Sequence, residues 1–447
     1  MSFQRKLLVV ALASVLPMMS AHAQSSADLK KEIEALKAQL QVLTQKVEAM
    51  GAQTDNTALS QQVNRIEQRM DLADDDTEKS GFKGVKINGV IEAAFKYDTI
   101  AKSNDFSGSS GSGGDEFGMI QITKESQDGE GVDWTLRLLP GSTGSIVHEA
   151  SISIPVDKEN RIIGGVMPDF QGYEYVFANA NPTLGNQLIS HNALYDLAGA
   201  TSYTGIGMSH TFAAGTYAFK WLVANVDTAA DDPAVTFSDP ASVGTFSTAN
   251  SLSKTVALAY RLDWYKSEST YFALSGLHGA TNREFNIMAL EAGYTKGDLQ
   301  LNGQLTSGQM ARAAANGDTA TWTGISGLVG YKVVPRLQLL ARLDMIDNRS
   351  NGGGTYYDNG GAFGYGLGPE RTDSTGAYDV DATTLLPTTG ATLTRMSLGT
   401  NYQINANTQW KTEYRIDKSS GYNFLDSDGV TYRKDHTMFA TSLVLSF

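Results

Sequence analysis

The chain ends on a run in which every second residue suits a hydrocarbon surface: Thr437, Phe439, Thr441, Leu443, Leu445 and Phe447. A period of two puts these side chains on one face of a β-strand. The pattern recurs upstream as far as Val85. There Val85, Ile87, Gly89, Ile91, Ala93, Phe95 and Tyr97 share one face, and Lys86, Asn88, Glu92 and Lys96 share the other. Sixteen such segments are predicted, near 85–97, 116–125, 131–139, 145–154, 160–167, 201–212, 217–226, 255–265, 270–280, 287–295, 299–309, 324–333, 337–346, 393–404, 408–417 and 436–447. Their lengths suit tilted strands of ~9–11 residues crossing a bilayer. Alternation alone does not choose between a soluble sandwich, apolar face inward, and a closed sheet in lipid, apolar face outward.

The connections favour the closed sheet. QDGEG, VDKEN, AAGT, KSEST, KGD, VPR and NANT are short, whereas 98–115, 168–200, 227–254, 311–323, 347–392 and 418–435 are long. The two kinds alternate, with 140–144 and 281–286 as brief members of the long set. Membrane barrels have short periplasmic turns, longer outer loops and an even strand number. Outside the leader, the prolines fall in connections, with Pro155 at a strand end, so no ladder bond is lost inside a strand. Trp134, Tyr217, Trp264, Tyr331, Tyr402, Trp410 and Phe447 gather near the periplasmic ends. Phe95, Tyr97, Phe117 and Phe439 form a thinner belt at the other edge. Amphipathic rings settle at bilayer interfaces in this way. Phe447 is read as the barrel-insertion signal. The expected fold class is all-β, a 16-stranded antiparallel transmembrane β-barrel preceded by a short α-helical coiled coil.

Residues 1–23 read as a signal peptide: Arg5 and Lys6, an apolar run over 7–19, and Ala21 and Ala23 around His22. No later stretch approaches the ~18 apolar residues of a spanning helix. Cysteine is absent, which excludes disulfides, thiolate metal sites and a lipid anchor on Cys. The net charge is -13, and losing Arg5 and Lys6 with the leader takes it to -15. A chain this acidic is not matched to nucleic acid, whose phosphates need basic surface.

Residues 24–80 are predicted to be a periplasmic helical segment and linker. Leu29, Ile33, Leu36, Leu40, Leu43, Val47 and Met50 are spaced alternately four and three apart, a heptad seam. Gly51 ends the helix. The polar stretch DLADDDTEKS over 71–80 places the pore domain at 81–447. The seam is expected to join protomers in parallel, with dimer and trimer both open. The alternative is an amphipathic helix lying on the periplasmic mouth of the barrel.

Positions out of phase with the apolar face include Glu92, Lys96, Arg137, Lys220, Arg261, Asp263, Arg342, Asp344, Arg395, Lys411, Glu413 and Arg415. Charged residues facing an aqueous pore set its preference among solutes. Arg342, Arg395 and Arg415 come from consecutive strands and are predicted to form one basic wall. The alternative role is salt bridging that stiffens the barrel. The histidines are scattered without metal-site spacing, and Asp426-Ser427-Asp428-Gly429 lacks the downstream Glu of a Ca²⁺ loop and reads as a surface turn. No catalytic motif stands out, so no enzyme and no cofactor are expected. Loop-bound Ca²⁺ or Mg²⁺ shared with lipopolysaccharide phosphates is the one ion envisaged.

The strand count, loop alternation and terminal Phe over 81–447 resemble those of Gram-negative trimeric porins. With the N-terminal seam the chain is most similar to porins carrying a periplasmic coiled coil, the DcaP-like and phosphate-selective types. The resemblance implies a homotrimer in the outer membrane, in contact with lipid and lipopolysaccharide, its helix in the periplasm. It also implies passive diffusion of small hydrophilic solutes or ions. The loop after the fifth strand would fold into the lumen, with Asp169, Tyr173, Glu174, Tyr175 and Phe177 at the constriction. The chain departs from the phosphate-selective pattern, because no Lys or Arg lies between 168 and 200. An acidic loop opposite a basic wall implies a transverse field rather than a loop-based anion trap. The alternative function is a non-conducting barrel that tethers the envelope or acts at the cell surface.

Overall fold

The computed structural model describes residues 84–447 apart from 100–103, 108–117, 127–130, 140–145, 175–186, 199–201, 229–252, 280–283 and 355–366. The leader and the heptad seam from Leu29 to Met50 lie outside the described residues.

In chain order the elements are β1 (Val85–Asp98), β2 (Asn104–Ser107), β3 (Gly118–Lys124), β4 (Asp133–Leu138), β5 (Val147–Pro155), β6 (Asn160–Pro168), α1 (Ala193–Ala198), β7 (Ser202–Phe212), β8 (Tyr217–Thr228), β9 (Ser253–Ser267), β10 (Thr270–Gly279), β11 (Phe285–Lys296), β12 (Leu299–Met310), β13 (Ala320–Val334), β14 (Leu337–Asp347), β15 (Thr392–Asn405), β16 (Thr408–Ser419), β17 (Phe424–Leu425), β18 (Tyr432–Arg433) and β19 (Asp435–Ser446). Successive spanning strands pair antiparallel, and β1 pairs with both β3 and β19. The strip β2 adds to the outer half of β1, and β17 and β18 form a separate hairpin in the last long loop. What remains is one closed sheet of sixteen strands.

The seam runs from Val90 opposite Ser446 to Asp98 opposite Met438. Beyond it, Gly89 N donates to Phe447 O at 2.9 Å, and Phe447 N returns a bond to Gly89 O at 3.0 Å. A sheet closed in this way leaves no row of unpaired backbone groups. All sixteen predicted segments are strands. The largest shift is at β13, which begins at Ala320 rather than at 324.

The orientation of the faces distinguishes the two architectures left open by the alternation. Ile91, Ile206, Leu258, Leu290, Ile325, Leu343 and Leu398 are exposed on the outer wall, while the out-of-phase Glu92, Asp263, Glu291, Ser326, Arg342, Asp344 and Ser397 are buried. A soluble sandwich buries the opposite set. Rings band the short-turn rim: Phe212 and Tyr217 stack at 5.5 Å, Tyr217 and Trp264 at 6.4 Å, and Trp264 packs on Phe272 at 5.4 Å.

The inner wall is not wet throughout. Leu222, Leu277, Phe285, Ile287, Trp322 and Ile346 point inward and are buried with Phe170 and with Leu194 and Leu197 of α1. Burial of each such side chain contributes about 1.5–3 kcal/mol. The apolar set survives inside because Phe170, α1 and loop residues such as Ala313 and Leu367 cover it.

Candidate functional site

The β6–β7 connection brings chemistry into the lumen. Its first leg fastens to β9, β11 and β13. Arg261 Nη1 donates to Phe170 O at 2.7 Å, Gly172 N donates to Glu291 Oε1 at 2.8 Å, and Tyr173 OH meets Ser326 Oγ at 2.5 Å. Lys220 Nζ of β8 sits 4.1 Å from the centroid of the Phe170 ring. Asp169 lines a small void with Gln171, Tyr195, Gln304 and Thr306. Tyr175 and Phe177, named with Asp169, Tyr173 and Glu174 as constriction residues, lie outside the described residues.

The returning leg docks on β14, β15 and β16. Asn401 Nδ2 donates to Gln187 O at 2.9 Å. Ser190 gives both its backbone N and its Oγ to the Glu413 carboxylate, each at 2.6 Å. Ala193 N, at the start of α1, donates to Asp344 Oδ2 at 3.0 Å. Two glycines make room for the apolar contacts. A Cβ at Gly324 would lie 2.1 Å from Leu194 Cδ2, and one at Gly399 would lie 2.4 Å from Leu188 Cδ2.

Arg342 is the centre of this attachment. Its Nη1 donates to Glu174 Oε1 at 2.7 Å and to Ser190 O at 2.9 Å. Its Nη2 donates to His191 O at 2.6 Å, and its Nε to Asp344 Oδ2 at 3.1 Å. Glu174 in turn accepts from Asn192 N. Arg395 donates to Asp417 Oδ1 at 2.9 Å, Asp196 Oδ2 at 2.8 Å and His191 O at 3.1 Å. Arg415 Nε lies 3.1 Å from Asp417 Oδ2. The basic side chains of the three consecutive strands therefore adjoin one another, yet they face carboxylates and loop carbonyls. Buried charges need such partners, because an unpaired ion in a low-dielectric interior is costly.

The remaining predicted positions fall in two groups. Glu92, Lys411 and Glu413 are buried on the inner faces of β1 and β16. Arg261 bridges Asp263 at 2.8 Å and Glu291 at 2.9 Å. Arg137 and Lys96 keep partial exposure. Arg137 donates to Gln121 Oε1 at 2.7 Å and pairs with Glu149 at 2.7 Å.

Several participants went unnamed in the sequence reading. Glu291 and Asp417 lie in phase with other inward residues of β11 and β16, a parity that marks them. Ser190, His191 and Asp196 belong to the loop, where no periodicity singles them out. His436 places Nδ1 3.0 Å from Asp417 Oδ2 and Nε2 2.7 Å from Asp98 Oδ2, stitching the closing strands near their outer ends.

A closed ring of sixteen spanning strands, oily outside and holding a charged, folded-in loop, defines a transmembrane β-barrel channel. Residues 84–447 match the family described as Putative beta-barrel porin-2, OmpL-like, and the chain belongs to that family. It is an outer-membrane porin, a channel for passive diffusion. Comparison with curated proteins finds no match. Among solved structures, the anion-selective porin from Comamonas acidovorans shares 10% identity, with 81% of this chain and 99% of that chain covered and a TM-score of 0.50. The outer-membrane channel DcaP of Acinetobacter baumannii shares 11% identity over 81% of this chain and 97% of that chain, with a TM-score of 0.48. At 10% identity the likeness to the Comamonas porin is one of fold alone.

Proposed function

We propose that small hydrophilic solutes pass along the flank of the lumen formed by β3 to β6, with the loop 168–200 narrowing the passage from the opposite side. The seating of the loop's two described legs carries this reading. The hydrogen bonds described above tie these legs to β9, β11 and β13–β16, where the inward side chains they touch, Glu291, Ser326, Arg342, Asp344 and Glu413 among them, are buried. Inward Gln121, Thr135, Arg137, Glu149, Ser151 and Ser153 on β3 to β5 keep partial exposure. Because Arg137 is matched by Glu149, this flank is polar but balanced, which suits wetting without a trap for ions of one sign.

The heptad seam over 29–50 is read as joining protomers in the periplasm, and the resemblance to trimeric porins favours three of them. The long outer loops then face lipopolysaccharide, where Ca²⁺ or Mg²⁺ bridges acidic side chains to phosphate. Diffusion needs no catalytic group, and the protein is read as a non-enzyme.

Reconstitution into planar bilayers tests the reading. Openings in sets of three equal steps are the expected result. Deleting 24–80 should abolish the trimer and leave single-barrel current intact. A folded, detergent-stable barrel that passes no current would overturn the proposal and favour an envelope tether.

A further inference from the structure

We infer that the periplasmic half of the lumen is a binding site for neutral polyhydroxylated solutes, the chemical class of sugars. The inference rests on the channel reading above and names what that channel selects. A cavity of about 640 Å³ opens between the turns at 268–269 and 297–298 and ends against Gly172, Tyr173 and Glu174 of the inserted loop.

Its wall carries a row of amides. Gln338 Nε2 donates to Gln300 Oε1 at 3.2 Å, and Gln300 Nε2 donates to Asn302 Oδ1 at 3.1 Å. Each primary amide offers two donor hydrogens and two acceptor lone pairs, so these contacts use only part of the capacity. The rest suits hydroxyl groups, which both give and accept. Beside the row stands Tyr271, half-buried and lining the same cavity. Its cross-strand partner is Gly293, where a Cβ would fall 2.0 Å from Tyr271 Cε1. The absence of a side chain at Gly293 lets the ring lie against the wall as an apolar platform. A ring beside amides matches a sugar, which has C–H faces and hydroxyl edges.

The charges argue against an ionic ligand. Inside the cavity Arg261 is taken by Asp263 and Glu291, and Glu174 is taken by Arg342. Lys332, Glu268 and Asp298 stand exposed at the mouth. An ion descending past them meets paired charges only, and recognition of an anion or a cation needs a counter-charge it can engage.

The test is current block in a planar bilayer with the full-length protein, using maltose as the neutral probe and succinate as the charged one. Maltose added on the short-turn side should interrupt the unit current, and succinate should not. Tyr271→Phe keeps the platform and should keep the block. Tyr271→Ala should weaken it about tenfold, the scale of one lost stacking contact. Asn302→Leu should weaken it likewise, with salt conductance unchanged in all three variants. If Tyr271→Ala does not fold, the Asn302→Leu comparison decides alone. Steady current in maltose, block of Tyr271→Ala and Asn302→Leu equal to that of wild type, or stronger block by succinate would overturn the inference while leaving the channel standing. A barrel without current would instead remove the channel reading on which it depends.

Discussion

Arg342 Nη1 donates to Glu174 Oε1 at 2.7 Å, fastening a barrel strand to a loop residue 168 positions earlier in the chain. Both side chains are buried. Removing the cation leaves Glu174 and Asp344 facing each other without it, at a cost of about 3–5 kcal/mol. Arg342→Ala should therefore release the loop, raise current noise and unit conductance, and lower the temperature at which the folded gel band is lost. An unchanged current trace in a folded variant would show that the loop does not narrow the path.

Gly324→Ala tests the same attachment without touching a charge. The new methyl group would meet Leu194 Cδ2 at 2.1 Å. Forcing atoms into a packed contact costs about 1–3 kcal/mol. The expected outcome is a displaced α1 and a noisier channel whose ion selectivity equals that of wild type. Reversal potentials in a salt gradient check the second half of the statement.

Deleting Phe447 removes the reciprocal pair of hydrogen bonds with Gly89 at the end of the seam. Each such bond contributes about 0.5–1.5 kcal/mol. The larger effect expected is on assembly, since this residue extends the seam between β19 and β1 by a reciprocal pair of bonds. Folding yield in lipid vesicles, read from heat-modifiable gel mobility, should fall. A yield equal to wild type would remove Phe447 as an insertion signal.

Asp381 shapes a turn of the long outer loop outside the membrane. Its Oδ1 accepts from Thr383 N at 2.9 Å, Thr384 N at 2.8 Å and Thr384 Oγ1 at 3.1 Å. The backbone bonds from Thr384 and Thr383 hold the carboxyl below its ordinary range. A folded pKa that is depressed contributes stability above the unfolded value, and that stability is lost as pH falls through the folded one. The protection factors of the Thr383 and Thr384 amides, taken against the free-peptide rate at each pH, should persist through the usual carboxylate range and fall only in stronger acid. Asp381→Ala should remove the protection at neutral pH as well.

The strands were legible because lipid demands a strict period of two, and runs such as Leu337–Asp347 obey it. Inside the barrel the signal weakens for a physical reason. In β11 the run Ile287, Met288, Ala289, Leu290 is apolar on both faces, since one side meets lipid and the other is buried inside the barrel, Ile287 in the same apolar cluster as Phe170 and Leu277. Parity named Arg342, Arg395 and Arg415 as inward. It did not reveal that carboxylates and loop carbonyls surround them, because Glu174 and Asp196 reach them only through the fold of a long connection. The resemblance to porins placed that connection in the lumen. Its contacts depend on side-chain geometry, and sequence spacing carries no trace of them.

The loop is moored to the arc from β9 to β16, and the arc from β3 to β6 faces it across the opening. Under the proposed reading, substitutions on the second arc or at the amides of the lower cavity alter what gets through, while the buried ion pairs of the first keep the ring standing. Permeability and robustness then rest on different side chains of one circle, and a lineage can retune the former without putting the latter at risk.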